Sequence, residues 1–355
     1  MTTTVADRYI QKQKRNRLLG LAGFGLLALT VLISIGLGRA DLSIDMVWKI
    51  IVHNVINGPD VAGSAGLPQG VEVYQNAIVW DVRLPRVLTA LAVGAGLAVS
   101  GAIFQSILRN PLADPFTVGV STGAAFGAVL AIYMNLFIVA FPLPITPFAF
   151  GGALLALLVV MRVARVKGVI RSSNLIIAGI IVSSILSAGI SFMKSAAGEE
   201  VAAIVYWLMG SMAARSWDHV ALAVPLVFLG IGLAGYHAKS LDIMSLGERE
   251  AVALGVDVKK TMNLYLITAS LLTAICVSVS GIIGFVGLII PHMIRMGISS
   301  ENRVLIPLSA IFGALLLVVA DNFSRLLFAV ELPVGVITTL LGGPFFIWLF
   351  GKARK

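Results

Sequence analysis

Charge and cysteine are what this sequence has least of. From Pro115 to Met161 it runs 47 residues without one Asp, Glu, Lys or Arg. Charged residues make up 12% of the chain, against roughly 25% in a soluble domain. So few charges cannot cover a water-exposed surface, which excludes a soluble globular protein. Cysteine occurs once, as Cys276 in an apolar run, so no intrachain disulfide can form and the thiol reads as a small buried packing group. The glycine-rich loop with Lys-Ser/Thr that cradles nucleotide phosphates is missing. His53, His219 and His237 stand singly without metal-ligand spacing, and no cluster of His, Asp or Cys within the apolar runs suggests an embedded enzyme or a metal site. No repeat of about 30–45 residues is visible.

What remains is apolar: 58% hydrophobic residues and a mean hydropathy of +0.98. A helix needs about 20 mainly apolar residues to cross the hydrocarbon, because every backbone N–H and C=O must be satisfied within the segment there. This predicts an all-α polytopic membrane protein with ten crossings, at Leu18–Gly38, Val87–Leu108, Phe116–Met134, Phe148–Met161, Asn174–Met193, Val220–Tyr236, Met262–Ser280, Ile282–Ile294, Val304–Ala320 and Val334–Phe350. Two boundaries rest on turn chemistry: the prolines of Phe141–Pro147, and the glycines of Ser280-Gly-Ile-Ile-Gly284. Val201–Ala214 is apolar but too short to cross and reads as a re-entrant or interfacial helix. Without a small-residue cleavage site after it, Leu18–Gly38 reads as a retained first helix.

An even number of crossings puts both termini on one side. That side holds 19 of the 26 Lys and Arg, so the positive-inside rule makes it cytoplasmic. The net charge of +9 then reflects topology and not nucleic-acid binding. Residues 1–355 form one transmembrane domain. Its long external segment, 39–86, has an amphipathic start and a Gly/Pro-rich insertion, Asn57–Pro68. Small residues at four-residue spacing, Gly119, Gly123 and Gly127, then Gly179, Ser183 and Ser187, are expected to bring helix backbones close together.

The predicted crossings contain no Asp or Glu, which disfavours a proton- or ion-coupled secondary transporter; a buried acid in the bundle would reopen that reading. Energy for active transport must then come from another protein. The cytoplasmic segment Lys239–Lys260 is the best place to meet it: Ser245 with Glu248 reads as a capping box, Glu250–Leu254 as a short helix, and Gly255 as its C-terminal stop. On the external side Arg83 and Arg86 stand three residues apart before the second crossing, spaced to project together toward a partner's carboxylates, and Arg325 follows the ninth. Met209 and Met212 read mainly as packing residues that are also placed to touch a bulky apolar cargo.

In chain order, Arg83-Leu-Pro-Arg86, Gly101–Gln105, Asn110-Pro-Leu-Ala-Asp-Pro115, Gly119–Gly123, Leu175–Gly179, Tyr206–Gly210, Gly284-Phe-Val-Gly-Leu-Ile-Ile-Pro-His292, and Leu332–Gly335 with Gly342–Trp348 resemble the FecCD-type permease family. Such permeases import ferric siderophores, haem and cobalamin in ATP-binding-cassette systems. The resemblance covers nearly the whole chain. It implies a homodimer in a bacterial or archaeal cell membrane, with the path between the subunits. Two cytoplasmic ATPases would carry the ATP and magnesium, and an extracytoplasmic binding protein would deliver substrate. No cofactor belongs to this chain, and it performs no covalent chemistry. Ferric siderophore is the first expectation for the cargo, with cobalamin or haem as alternatives. By the same resemblance Arg83, Arg86 and Arg325 engage the binding protein. Asn110, Leu112, Ser172 and Ser173 close the cytoplasmic end of the path. Ser245, Leu246, Gly247, Glu248, Arg249, Glu250, Ala251, Leu254 and Gly255 lie in the elements that grip the ATPase. His292 belongs to a family signature carried whatever the substrate, which implies a structural role.

Overall fold

The computed structural model describes residues 5–38, 40, 42–58, 67–139, 141–166, 169–327 and 330–353. Helices α1 (Val5–Gly36) and α2 (Ile44–Asn57) are followed by a short α3 (Val73–Ala77) and a π-helical turn, Ile78–Arg83, that runs directly into α4 (Leu84–Leu108). Pro85, in the first turn of α4, has no N–H to donate and its ring crowds the turn before it; the wide turn just upstream accommodates both effects. The second apolar helix is therefore longer than expected, starting at Val73 and not Val87. Next come α5 (Val120–Phe137) and α6 (Ile145–Ala164), with Asn135 bridging their connection: its amide donates to the Leu143 carbonyl at 2.9 Å and its carbonyl accepts from the Leu143 N–H at 2.6 Å.

Strands β1 (Arg165–Val166) and β2 (Val169–Ile170) form a two-residue antiparallel ladder ahead of α7 (Ser172–Ala196). The short helix α8 (Val201–Leu208) is shorter than the 14-residue element expected there. Gly210, at φ +69°, turns the chain back where any side chain would strike the Ile282 carbonyl. Then follow α9 (Trp217–Tyr236), α10 (Ala238–Leu246), α11 (Glu248–Ala253), α12 (Val258–Ser280), α13 (Val286–Gly297), α14 (Asn302–Leu326) and α15 (Val334–Ala353). Among the described residues, eight helices are long and apolar enough to cross a membrane; the other two expected crossings fall on the shorter apolar helices Val286–Gly297 and Val334–Leu349. Most of the Asn57–Pro68 insertion lies outside the described residues.

Helix α4 is apolar on every face, so it takes the centre, packed on α14, α12, α9 and α13. Lipid offers no hydrophobic drive between helices, so close backbone approach has to hold them together. A Cβ on Gly101 would stand 1.7 Å from the Gly287 carbonyl oxygen of α13, and one on Gly94 2.4 Å from that of Gly313 in α14. The small-residue faces of α5 and α7 serve intramolecular packing as well: Gly123 and Gly127 meet the backbone of α6, and Gly179 meets the Thr117 carbonyl. Cys276 is fully buried beside Gly96. The peripheral helices turn large apolar side chains outward, Leu21 and Phe24 on α1 and Ile177, Ile181 and Ile185 on α7, as contact with acyl chains demands.

Candidate functional site

At the end of the bundle where α4 begins, three arginines are built into the fold. Arg83 donates from Nη1 to the Ile35 and Gly36 carbonyls at 3.0 and 2.8 Å, and from Nη2 to that of Ala40 at 2.7 Å. It thereby satisfies the open C-terminal carbonyls of α1. Arg86 grips Asp321 of α14 with two parallel bonds, Nε to Oδ2 at 2.9 Å and Nη2 to Oδ1 at 2.7 Å, and also meets Glu331 just ahead of α15. Arg325 lies inside α14, not in a loop after it. It donates to the Ser34 carbonyl and hydroxyl at 3.1 and 3.0 Å and pairs with Asp321 at 3.5 Å.

The expectation that Arg83 and Arg86 project outward as a pair is therefore corrected. The three-residue spacing sends one toward α1 and the other toward α14, and both are buried. The expectation that the apolar helices hold no acid is corrected as well: the ninth crossing is expected to end at Ala320, but α14 continues to Leu326 and leaves Asp321 only 1% exposed.

Between these arginines and the opposite end lies an apolar cavity of about 550 Å³. The tip of α8 (Leu208, Met209), the bend at Phe285 and the first turns of α15 (Val336, Thr339) form its walls. Met209 faces this space, whereas Met212 is fully buried in the core. The loop joining α4 to α5 supplies Asp114 and Phe116 to the lining. Asn110 shapes that loop, its Oδ1 accepting the Leu112 N–H at 3.0 Å in a local turn, and Leu112 is exposed. Ser172 donates to the Ile107 carbonyl at 3.2 Å, bringing the start of α7 against the end of α4; Ser173 is exposed. Asn110, Leu112 and Ser172 are thus gathered at the end of the bundle that carries the chain termini.

Asp114 accepts the Thr117 N–H at 3.0 Å. Burial pushes its carboxyl up from 3.8 to about 6 against the opposing effect of its backbone hydrogen bonds. The folded protein then binds this proton more readily than the unfolded chain, so the stability linked to Asp114 falls as pH rises from about 4 to 6 and is level above that. The Asp114→Asn variant is expected to lose this part of the pH dependence. Thermal melting of both proteins in detergent across that range checks it; parallel melting curves would contradict the assignment.

The segment between α9 and α12 holds α10 and α11. The expected capping box does not form: Ser245 belongs to the last turn of α10, where its hydroxyl donates to the Asp242 carbonyl at 2.6 Å, and Gly247 is the residue preceding α11. Helix α11 starts at Glu248, two residues earlier than expected, and Gly255 at φ +82° follows it as the left-handed stop. Leu246, Val252 and Leu254 are exposed, Arg249 and Glu250 face solvent, and Ala251 is buried beneath.

Sequence reasoning missed what ties this segment to the bundle. Asp242 Oδ1 accepts from both the backbone N–H and the side-chain amide of Asn302, each at 2.7 Å. Asn302 Oδ1 accepts from the Ser106 hydroxyl of α4 at 2.8 Å, and Arg295 of α13 donates to the Ala102 carbonyl at 3.2 Å. Burial holds the Asp242 carboxyl above its ordinary range. The available signal was an acid inside the proposed coupling segment, facing an asparagine at the start of the ninth crossing. His292 of α13 packs near the Phe346 ring, centroids 6.1 Å apart. Among the described residues no group of three His, Cys, Asp or Glu is placed to hold a metal.

Long apolar helices around a buried central one, with an apolar cavity and a shaped loop beneath it, are the architecture of a multi-pass membrane protein. The chain belongs to the FecCD transport family, which matches residues 26–352. It is 43% identical over 289 residues to the cobalamin import system permease protein BtuC of Halobacterium salinarum, covering 81% of this chain and 77% of that one. It is 36% identical over 347 residues to the Fe(3+)-citrate import system permease protein YfmE of Bacillus subtilis, covering 97% and 98%. A solved structure assigned to a metal-chelate type ABC transporter in an inward-facing conformation superposes with a TM-score of 0.79 at 33% identity, over 95% of this chain and 99% of the other. The protein is accordingly a multi-pass component of a bacterial or archaeal cell membrane.

Proposed function

We propose that this chain is the permease subunit of an ATP-driven importer, crossing the membrane ten times with both termini in the cytoplasm and working as a homodimer. The observation that carries the reading is the 550 Å³ apolar cavity with the Asn110–Phe116 loop at its base, a space suited to bulky chelates. Two cytoplasmic ATPases would grip α10 and α11, where apolar residues stand exposed on an otherwise polar segment. An external binding protein would release its cargo at the Arg83, Arg86 and Arg325 end. The cargo class is an iron chelate, with ferric siderophore first. Cobalamin is the second reading, favoured by the identity to a cobalamin permease, and haem remains an alternative of the same kind.

An ion-coupled carrier would need a buried acid free to bind its ion. Asp321, inside α14, is buried, yet Arg86 neutralises it through two charge-assisted bonds, and Asp114 lies in the loop between α4 and α5, outside the crossings. Transport in vesicles tests the proposal. Uptake of ferric siderophore, haem or cobalamin is expected only with the ATPase and binding protein present. Uptake by the purified chain alone, driven by an ion gradient, would overturn it.

Docking through the arginines requires a partner carboxylate to compete with the ones already there. Glu331 is the accessible competitor, about one-third exposed, while Asp321 stays to satisfy Arg86. Glu331→Gln is therefore expected to tighten binding of the cognate binding protein several-fold, read by titration against the reconstituted transporter. Unchanged affinity would remove Arg86 from the docking face.

A further inference from the structure

We infer that the groove between the start of α1 and the start of α14 is a binding site for an anionic glycerophospholipid with a hydroxylated head group, of the phosphatidylglycerol class. The groove holds about 320 Å³ and is polar at one end and apolar at the other. Its polar end gathers Lys12 and Arg17 from α1 with Arg303 from α14, against one carboxylate, Glu301. Among the described residues none of these three cations has an ion-pair partner. Among the described residues these three cations outnumber the one carboxylate of the groove, an excess that a phosphate diester balances.

A second, independent feature specifies the head group. Asn16, only 8% exposed, lines the groove with its Oδ1 buried and without a hydrogen-bond partner. An unsatisfied buried acceptor calls for a donor, and the hydroxyls of a glycerol head group provide one beside the phosphate. A choline head group brings no donor and adds a cation among three others. The apolar end identifies the rest of the ligand. Gly20 and Gly23 let α1 lie close to Leu308 and Ile311 of α14, and Leu21 and Phe24 of the same helix stand exposed. An acyl chain covers such a seam; a soluble phosphate ester does not. Basic pockets between helices at the head-group level are a recurrent form of lipid recognition. This site does not depend on which cargo the chain carries or on its working with an ATPase.

Native mass spectrometry of the full chain in detergent tests the inference, with dioleoylphosphatidylglycerol and dioleoylphosphatidylcholine as probes. Wild type is expected to prefer the anionic lipid by about tenfold or more, because each of the three cations favours a net negative head group. The Lys12→Gln, Arg17→Gln, Arg303→Gln triple variant should lose most of that preference. Asn16→Leu should weaken phosphatidylglycerol several-fold and leave phosphatidylcholine unchanged. Removing three cations elsewhere, Arg162, Arg165 and Arg171, should change nothing. Equal losses in that control, an unchanged triple variant, or displacement of the lipid by an equal concentration of sn-glycerol 3-phosphate would each overturn the site.

Discussion

Replacing Arg86 with alanine is expected to destabilise the protein by about 3–5 kcal/mol, the range for removing one member of a buried ion pair. Arg86 and Asp321 are 7% and 1% exposed, so neither charge is well hydrated in the folded state. Once Arg86 is gone, the nearest remaining cation to Asp321 is Arg325 at 3.5 Å, approaching through one nitrogen where Arg86 used two. The damage comes from the stranded carboxylate more than from the lost attraction. Replacing both residues, Arg86→Met with Asp321→Leu, should therefore recover most of the stability, because apolar groups need no partner there. Thermal melting of the two single variants and the double variant closes a mutant cycle that isolates the coupling. Single variants that each cost under about 1 kcal/mol would show that the pair is hydrated and does not hold the end of the bundle.

The same pair marks where sequence reasoning reaches its limit. Apolar runs identify helices because burial in hydrocarbon leaves the backbone no other choice, and among the described residues each of the ten expected crossings overlaps a helix, eight of them long and apolar enough to span. An acid at the end of a run, however, looks the same whether it leaves the membrane or folds inward onto a cation 235 positions away in the chain. The ninth expected crossing accordingly stops at Ala320, one residue short of Asp321, while α14 runs on to Leu326. The spacing of Arg83 and Arg86 predicts a pair on one face, yet the π-helical turn and neighbouring helices decide their direction, and neither is visible locally. Glycines gave the opposite result where a stop is expected of them: Gly255 and Gly281 both mark turns at positive φ, because that conformation is closed to most other residues, whereas Gly210 ends α8 inside a segment expected to be one helix. The loop from Asn110 to Asp114 was legible as a motif. Its place beneath an apolar cavity follows only from how α8, α13 and α15 converge.

Breaking the Asp242–Asn302 contact is expected to uncouple transport. If α10 and α11 receive the ATPase, a displacement imposed there reaches the bundle through the elements bonded to them. Asp242 is one such route: it holds the first residue of α14 through two bonds, and the same asparagine accepts from Ser106 in the last turn of α4, directly before the loop that carries Asn110 and Leu112. A ligand-driven change moves a distant element only when contacts differ between its states, so cutting this path should leave nucleotide hydrolysis running while the loop stays where it was. Asp242→Ala is expected to keep assembly with the ATPase, since Leu246, Val252 and Leu254 still stand exposed, and to lower transport per ATP hydrolysed by about tenfold, equivalent to about 1.4 kcal/mol of lost coupling. Asn302→Leu, which removes both the Asp242 and the Ser106 bonds of the side chain, should act in the same direction. Paired measurement of uptake and phosphate release in vesicles distinguishes this from simple instability, which lowers both together. A variant that hydrolyses and transports in the wild-type ratio would show that force enters the bundle by another contact.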